Sequence, residues 1–586
     1  MGYEHSETTL LFTIYITFMK KNLITILSIL LLVGFLLPTS CTHTNKLDED
    51  DVKMKVGQMF LLAFSGAEAQ VVLPFISEKG IGGLYLSNEN LQEPKQAAQL
   101  LNELQAAAMS GISKQALLTA CDQEGAWGVM VPYSTTGPGN MALGASPVAN
   151  TQEMYSIFSQ ELAAIGVFCN LSPAADVNSN PLNPIIGTRS FGEDPGEVAD
   201  RVKAAVKGLH KHRVIATAKH FPGHGNTSSD SHSGIPRVTS SLQEIEAIDL
   251  HPFKASVKAG VDIMMTSHII YDALDSIHPA TLSPTILNDY LRKKLGFKGL
   301  IISDSFNMGA IQKNYNPSEA AITAINAGVD MIMLAEERYG EDVGDYVQSQ
   351  MKMIDDVVQA VLSGEIPMDR IDDAYNRIIQ LKQKYDLANR ISTDVELAST
   401  IVGNETNKAA AVRIAEAALY VVDSTKSLLP LKEGSAVSVV KLAKENVEEI
   451  IKIAAGIGPN YYNAYADFVV EMKAAGFDVT EYSHDDEIPE DQIIIGVSEN
   501  YPLPGVALDK KEQRRRLKFV REKYPNAAIV NVALKDPYDA KMMLSDAYVT
   551  PIGSNISNIK AVVNLLKGQV EANGKLPVSP LEITKL

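Results

Sequence analysis

Val214-Ile215-Ala216-Thr217-Ala218-Lys219-His220-Phe221-Pro222-Gly223-His224-Gly225-Asn226-Thr227-Ser228-Ser229-Asp230-Ser231-His232 is the stretch around which the chain is organised. Its first five residues form a short apolar run, the pattern of a buried strand. Pro222 and Gly223 turn the chain, and the small polar residues that follow make a loop carrying Asp230 and His232 two positions apart. A scaffold strand that runs into such a loop delivers ionisable groups to a cleft.

The same unit recurs on both sides. From residue 51 to 385 short apolar runs alternate with amphipathic stretches, the signature of βα units and a parallel sheet. Strands are predicted at 57–64, 81–87, 117–122, 167–172, 213–219, 262–267, 299–304 and 329–334. Eight of them in succession predict an α/β fold of the TIM-like (β/α)8 barrel type, whose active site lies at the C-terminal ends of the strands. Asp122, Asp176, Lys219, His220, His268 and Asp304 all fall at those ends. A doubly wound sheet would place a Gly-rich turn between strand and helix, whereas Gly80-Ile81-Gly82-Gly83 precedes its strand, which argues against dinucleotide binding. Residues 386–406 lack strong periodicity and are predicted to link the barrel to a second α/β region over 407–586, with strands near 417–422, 436–441, 493–498, 528–534 and 547–551. In that region Asp536-Pro537-Tyr538-Asp539 and Gly574-Lys575-Leu576-Pro577-Val578 read as turns.

With 586 residues, 46% of them hydrophobic and 21% charged, the chain has the composition of two folded domains. A net charge of −18 argues against nucleic acid as a partner. The one basic run, Lys510-Lys511 with Arg514-Arg515-Arg516 and Lys518, lacks interleaved aromatics and reads as a solvated helix face. Three cysteines make no disulfide framework and match no zinc spacing; Cys121 and Cys169 lie in apolar runs and are expected to be buried thiols.

At the N-terminus Met19-Lys20-Lys21-Asn22 is followed by apolar residues 23–37 and by Leu37-Pro38-Thr39-Ser40-Cys41, a secretory signal in shape, with residues 1–18 as an upstream extension. A single membrane anchor is the alternative. Small residues before a lone Cys resemble a bacterial lipoprotein processing site. That resemblance implies a lipidated Cys41, a spacer over 42–50, membrane attachment through the lipid anchor, and an extracytoplasmic location, periplasmic or at the cell surface.

Two groups of residues carry chemistry. Asp304 sits where Ile301-Ile302-Ser303 opens into a polar loop; it suits a nucleophile and equally a helix N-cap. Asp230 and His232 are ambiguous in isolation. His220 and His224 are four apart, but Pro222 and Gly223 between them break the helix that a metal pair at that spacing requires, so no metal site is predicted.

The Lys219 to His232 stretch, together with Gly187-Thr188-Arg189-Ser190-Phe191-Gly192 and the Ser303-Asp304 segment, resembles the glycoside hydrolase family 3 β-N-acetylglucosaminidases. The resemblance runs from Val56-Gly57-Gln58-Met59 through Asp122-Gln123-Glu124-Gly125 to Gly574-Lys575-Leu576-Pro577-Val578. It implies a TIM-like barrel followed by an αβα sandwich, and a retaining mechanism without a cofactor. Asp304 is then the nucleophile, His232 the general acid/base and Asp230 its orienting carboxylate. Asp122, Arg189, Lys219 and His220 would contact hydroxyls of a terminal N-acetylhexosamine on a small oligosaccharide. The chain departs from the family in having Met130 where relatives commonly have Arg, and Trp127 is available to stack on a sugar face. An imidazole acid/base is chemically apt: near pKa 6.5 it can protonate a leaving oxygen and then deprotonate water, and Asp230 would favour its acid form.

The implied activity is exo-hydrolysis of terminal β-linked N-acetylglucosamine from peptidoglycan fragments or chitin-like oligosaccharides. Phosphorolysis is an alternative, because neutral imidazole does not repel phosphate as a carboxylate does. A surface lipoprotein that binds glycans without cleaving them is an alternative of another class. The loop carrying Asp230 and His232 is expected to move, swinging His232 over the glycosidic oxygen.

Overall fold

Each of the eight predicted barrel runs becomes a strand in the computed structural model. In chain order the strands are β1 (Phe60–Leu62), β2 (Gly83–Tyr85), β3 (Leu118–Cys121), β4 (Cys169–Asn170), β5 (Ile215–Phe221), β6 (Arg237–Val238), β7 (Ile263–Thr266), β8 (Ile270–Tyr271), β9 (Leu300–Ile302) and β10 (Ile332–Met333). β6 and β8 form a separate parallel ladder. The other eight make one parallel sheet in the order β10-β1-β2-β3-β4-β5-β7-β9. A parallel bridge between Ile302 and Met331 brings β9 back to the start of β10 and all but closes the ring. Phe60, Ile215, Met264, Ile301 and Ile332 are fully buried, so these strands are packed on both faces, as a barrel wrapped in helices requires.

The structure describes residues 47–125, 133–228, 234–335, 343–424, 428–444, 463–489, 491–500, 508–541 and 544–581. Residues 49–586 form one compact unit. The predicted signal segment, Cys41, Trp127, Met130, Asp230 and His232 lie outside the described residues. Among the described residues no helix is long and apolar enough to cross a membrane.

Helix starts follow local chemistry. Asp194 accepts from the amide of Glu197 ahead of Pro195, Asn316 accepts from Ser318 and Glu319 ahead of Pro317, and Ser241 and Glu244 form a reciprocal capping box. The 386–406 segment is more structured than its weak periodicity implies. It contains the helix Val395–Ile401, capped by Asp394, and Thr393 exchanges hydrogen bonds with Asn102 on the barrel helix Pro94–Ser110.

The second sheet holds β11 (Tyr420–Asp423), β12 (Ala436–Lys441), β13 (Asp478–Tyr482), β14 (Ile493–Glu499), β15 (Ile529–Leu534) and β16 (Ala547–Thr550), in the order β11-β16-β15-β14-β12-β13. All its pairings are parallel except β11 with β16. β13 was not predicted: its Asp478, Glu481 and polar alternation look like a loop, and it lies at the sheet edge where burial is partial. Helices Ala464–Ala474 and Ile556–Leu566 pack on one face, and Lys510–Lys523 covers the other through Leu517 and Val520, giving three αβα layers.

The two stretches that read as turns prove to be where this sandwich meets the barrel. Tyr538 and Val578 share an apolar cluster with Met141 and Ala142, Asn178 donates to the Tyr538 hydroxyl, and the amide of Glu193 donates to the carbonyl of Pro577 at 3.0 Å.

Candidate active site

The C-terminal end of β5 carries two adjacent ionisable residues, and both enter the same site. In a regular strand Lys219 and His220 would face opposite sides of the sheet. The β5–β7 register shifts between Ala218 and Phe221, which frees the pair from strict alternation.

Lys219 Nζ contacts Asp122 Oδ1 and lies 2.7 Å from Glu124 Oε1. Glu124 in turn holds Arg189 in a two-pronged clasp, with Nε and Nη2 each at 2.9 Å. The Tyr85 hydroxyl donates to Asp122 at 3.0 Å. Two carboxylates thus balance two cations in a buried cluster, where an unpaired charge would be costly. Burial alone would raise the Glu124 carboxyl, but Arg189 and Lys219 outweigh it and hold the group at about 2. Burial works against the charged Lys219 ammonium; Asp122 and Glu124 overcome it and raise its pKa.

Asp176, fully buried beyond the end of β4, organises the histidines. Its carboxylate accepts from His220 Nδ1 at 2.8 Å, from the His220 amide at 3.2 Å and from the His224 amide at 2.6 Å. Arg189 Nη2 lies 3.5 Å from His220 Nε2. A carboxylate only accepts and a guanidinium only donates, so the tautomer with its proton on Nδ1 fits both neighbours. His224 bonds Thr227 through Nδ1 at 2.9 Å, and burial with the nearby His220 depresses its pKa to about 4. Asp304 is among the charges that oppose that depression, so its carboxylate is part of the same field.

Asp304 follows β9 and is half-buried, with Oδ1 accepting from the Ser305 amide at 2.8 Å. It does not cap a helix: the next one, Gly309–Gln312, starts after Met308. The loop beyond it is fixed from several sides. His268 Nε2 donates to the Ser305 carbonyl at 3.0 Å, and the Ser305 hydroxyl accepts from the Ala335 amide at 3.1 Å.

The structure therefore brings Asp122, Arg189, Lys219 and His220 together and sets Asp304 on the same rim. The loop bearing Asp230 and His232 is described only at its base. There Asn183 donates to the His224 carbonyl at 2.8 Å, and Asn180 donates to that of Thr227 at 3.0 Å. Gly225 passes so close to Val177 that an added Cβ would lie 1.7 Å from its carbonyl oxygen, so no other residue fits without moving backbone. His220 and His224, weighed as a metal pair, are edge-to-face with centroids 5.8 Å apart and are bonded to different partners.

Two site residues were given no role from sequence. Glu124 stands two positions after Asp122, the spacing that puts side chains on one side of an extended segment. Asp176 was visible as an acid at a strand end, but nothing local announced that it would hold two histidines.

The chain that carries this cluster is similar to known proteins. The family model described as the N-terminal domain of glycosyl hydrolase family 3 matches residues 51–381. The chain belongs to glycosyl hydrolase family 3. Within it, the chain is 29% identical over 551 residues to beta-hexosaminidase A of Pseudoalteromonas piscicida, a match covering 86% of this chain and 90% of that one. It is 34% identical over 267 residues to the beta-hexosaminidase of Tolumonas auensis, covering 44% of this chain and 77% of that one. Among solved structures, the family 3 beta-N-acetylglucosaminidase of Paenibacillus sp. FPU-7 superposes with a TM-score of 0.79 at 29% identity, covering 91% of this chain and 99% of that one. The barrel-plus-sandwich architecture of this family 3 enzyme is thus shared along nearly the whole described chain.

Proposed function

We propose that this glycoside hydrolase releases terminal β-linked N-acetylglucosamine from small oligosaccharides, such as peptidoglycan fragments or chitin-like chains, with retention of configuration. The observation that carries the proposal is the buried Asp122–Lys219–Glu124–Arg189 cluster beside Asp304, in a chain similar over nearly its full length to beta-hexosaminidase A. Arg189 and Lys219 present donors, and Asp122 an acceptor, to sugar hydroxyls. Because they brace one another, they are positioned before the sugar arrives, so little ordering is required on binding.

Asp304 attacks the anomeric carbon and forms a glycosyl ester as the aglycone leaves. His232 protonates the leaving oxygen, then removes a proton from the water that hydrolyses the ester, and Asp230 orients the ring. This division of labour rests on the family resemblance of the Lys219–His232 stretch. Cys41 carries a lipid that attaches the enzyme to a membrane outside the cytoplasm, supported by the basic, apolar and small-residue order of residues 19–41.

The direct test is turnover of chromogenic β-N-acetylglucosaminide, β-N-acetylgalactosaminide and β-glucoside, each with and without inorganic phosphate. Preferred release from the N-acetylglucosaminide, independent of phosphate, is the expected outcome. Formation of sugar 1-phosphate would replace hydrolysis by phosphorolysis, and no turnover of any of the three would favour a glycan binder. Membrane fractionation of wild type against Cys41→Ala tests the anchor: the variant should move to the soluble fraction.

A further inference from the structure

The chemistry above leaves the basic run of the second domain unused. Lys510, Lys511, Arg514, Arg515 and Lys518 lie at positions i, i+1, i+4, i+5 and i+8 of the helix Lys510–Lys523, which places them on one stripe. That stripe is more than a solvated face. It forms one wall of a cavity of about 360 Å³, and Lys535, Asp536, Tyr538 and Asp539, which follow β15, form the other. The volume lies in the range of small-molecule sites, roughly 300–1,000 Å³. None of these residues belongs to the cluster around Lys219.

Charge bookkeeping within the cavity defines what fits. Lys510 is paired with Asp536, and Lys535 with Asp539 at 2.6 Å. Just outside, Glu512 holds Arg515 at 2.8 Å and Glu522 faces Lys518 at 3.5 Å. Four of the six cations are thereby engaged. Lys511 and Arg514 have no ion-pair partner among the described residues. These two like charges, Lys511 exposed and Arg514 half-buried, sit three positions apart on one helix, a mildly unfavourable spacing that an anion bound between them would relieve. They do so in a chain whose net charge is −18.

The opposite wall is firm: Lys535, Asp536 and Tyr538 are 5%, 6% and 4% exposed, and Tyr538 is tied to Asn178 of the barrel. Two uncompensated cations above a rigid polar wall match a compact dianion. A phosphomonoester carries about −1.5 to −2 charges at pH 7 and three acceptor oxygens, and a guanidinium binds such a group through two parallel hydrogen bonds. A single carboxylate would neutralise only half of the excess.

We propose that this cavity is a binding site for a small phosphomonoester, neutralised by Lys511 and Arg514 and separate from the sugar-cleaving centre. The test uses the full chain in low-salt buffer, titrated calorimetrically with inorganic phosphate, N-acetylglucosamine 6-phosphate, unphosphorylated N-acetylglucosamine and succinate. One-to-one binding of a phosphorylated ligand with a Kd below about 1 mM is expected. It should weaken at least tenfold in Lys511→Ala/Arg514→Ala, while phosphate-free turnover of a chromogenic substrate by that variant stays at the wild-type level. Equal affinity for both phosphates identifies free phosphate as a sufficient ligand; preference for the ester shows that the sugar is read as well, and both outcomes uphold the site. Absence of saturable phosphate binding, unchanged binding in the variant, or equally tight binding of succinate would overturn it.

Discussion

Replacing Glu124 by glutamine removes one charge from the buried ionic cluster it forms with Arg189, Lys219 and Asp122, while nearly conserving side-chain shape. Burial disfavours the ionised carboxylate, yet Arg189 and Lys219 hold it at about 2, against an ordinary value of 4.5. At about 1.36 kcal/mol per pH unit, that difference is worth roughly 3 kcal/mol of folding free energy. Because the folded value lies below the unfolded one, the contribution is fully present above pH 4.5 and is lost as pH falls toward 2. Leaving two buried cations to share Asp122 alone gives a cost of the same size, about 3–5 kcal/mol for a broken buried pair. Urea unfolding should therefore find Glu124→Gln less stable by about 3 kcal/mol at pH 7, with the gap narrowing between pH 4.5 and 3. KM for a chromogenic substrate should rise more than about tenfold, since Arg189 and Lys219 lose their brace. Equal stability at pH 7, or a gap that stays constant down to pH 3, would refute the claim that this carboxylate neutralises Arg189 and Lys219.

Three further predictions address the shell around the site. Asp249 is buried behind Gly223, its Oδ1 has no hydrogen-bond partner among the described residues, and burial with the charge of Asp176 raises its pKa to about 7. A raised acid stabilises the fold fully below pH 4 and progressively less up to pH 7. Asp249→Asn should thus gain on wild type across that window, by about 4 kcal/mol at neutral pH, and thermal melts that run parallel from pH 4 to 7 would contradict this. Asn555 donates to the carbonyls of Gly125 at 2.6 Å and Gly137 at 2.8 Å, fastening the sandwich to the segment that follows Glu124. Asn555→Ala should cost about 1–3 kcal/mol and raise KM more than it lowers kcat; kinetics identical to wild type would remove the sandwich from site positioning. Burial depresses the Lys382 ammonium to about 7, and its Nζ donates to Gln58 at 2.7 Å. A depressed base costs nothing above pH 10.5 and most below pH 7, so the stability of Lys382→Met relative to wild type should rise as pH falls from 10 to 7. A pH-independent difference would disagree with a buried, poorly compensated lysine.

The barrel was legible in the sequence because its strands are short apolar runs buried on both faces, and such runs stand out between amphipathic helices. β13 was not, because an edge strand with Asp478 and Glu481 keeps its backbone pairing without an apolar signature. Lys219, Arg189, Asp122 and His220 were reached through motif resemblance, and their convergence is a tertiary fact: Arg189 and Glu124 are 65 residues apart in sequence. Asp176 and Glu124 escaped assignment for the same reason, since a carboxylate's role depends on which cations the fold brings to it. The basic helix was legible as a solvated charged face, and Lys511, Arg515 and Lys518 are indeed exposed on it; the cavity beside it was not. Its apolar side, Leu517 and Val520, packs as any surface helix does, and only the chain after β15, folding back opposite it, turns a charged face into a cavity wall.

The central claim, a glycosyl ester on Asp304, is most directly tested by trapping it. Incubation with an activated fluorinated N-acetylglucosaminyl substrate, whose ester hydrolyses slowly, followed by proteolysis and mass spectrometry, should locate one hexosamine adduct on the peptide carrying Asp304 and none in Asp304→Asn. An adduct on another residue, or none together with release of the inverted anomer from a natural substrate, would contradict the account.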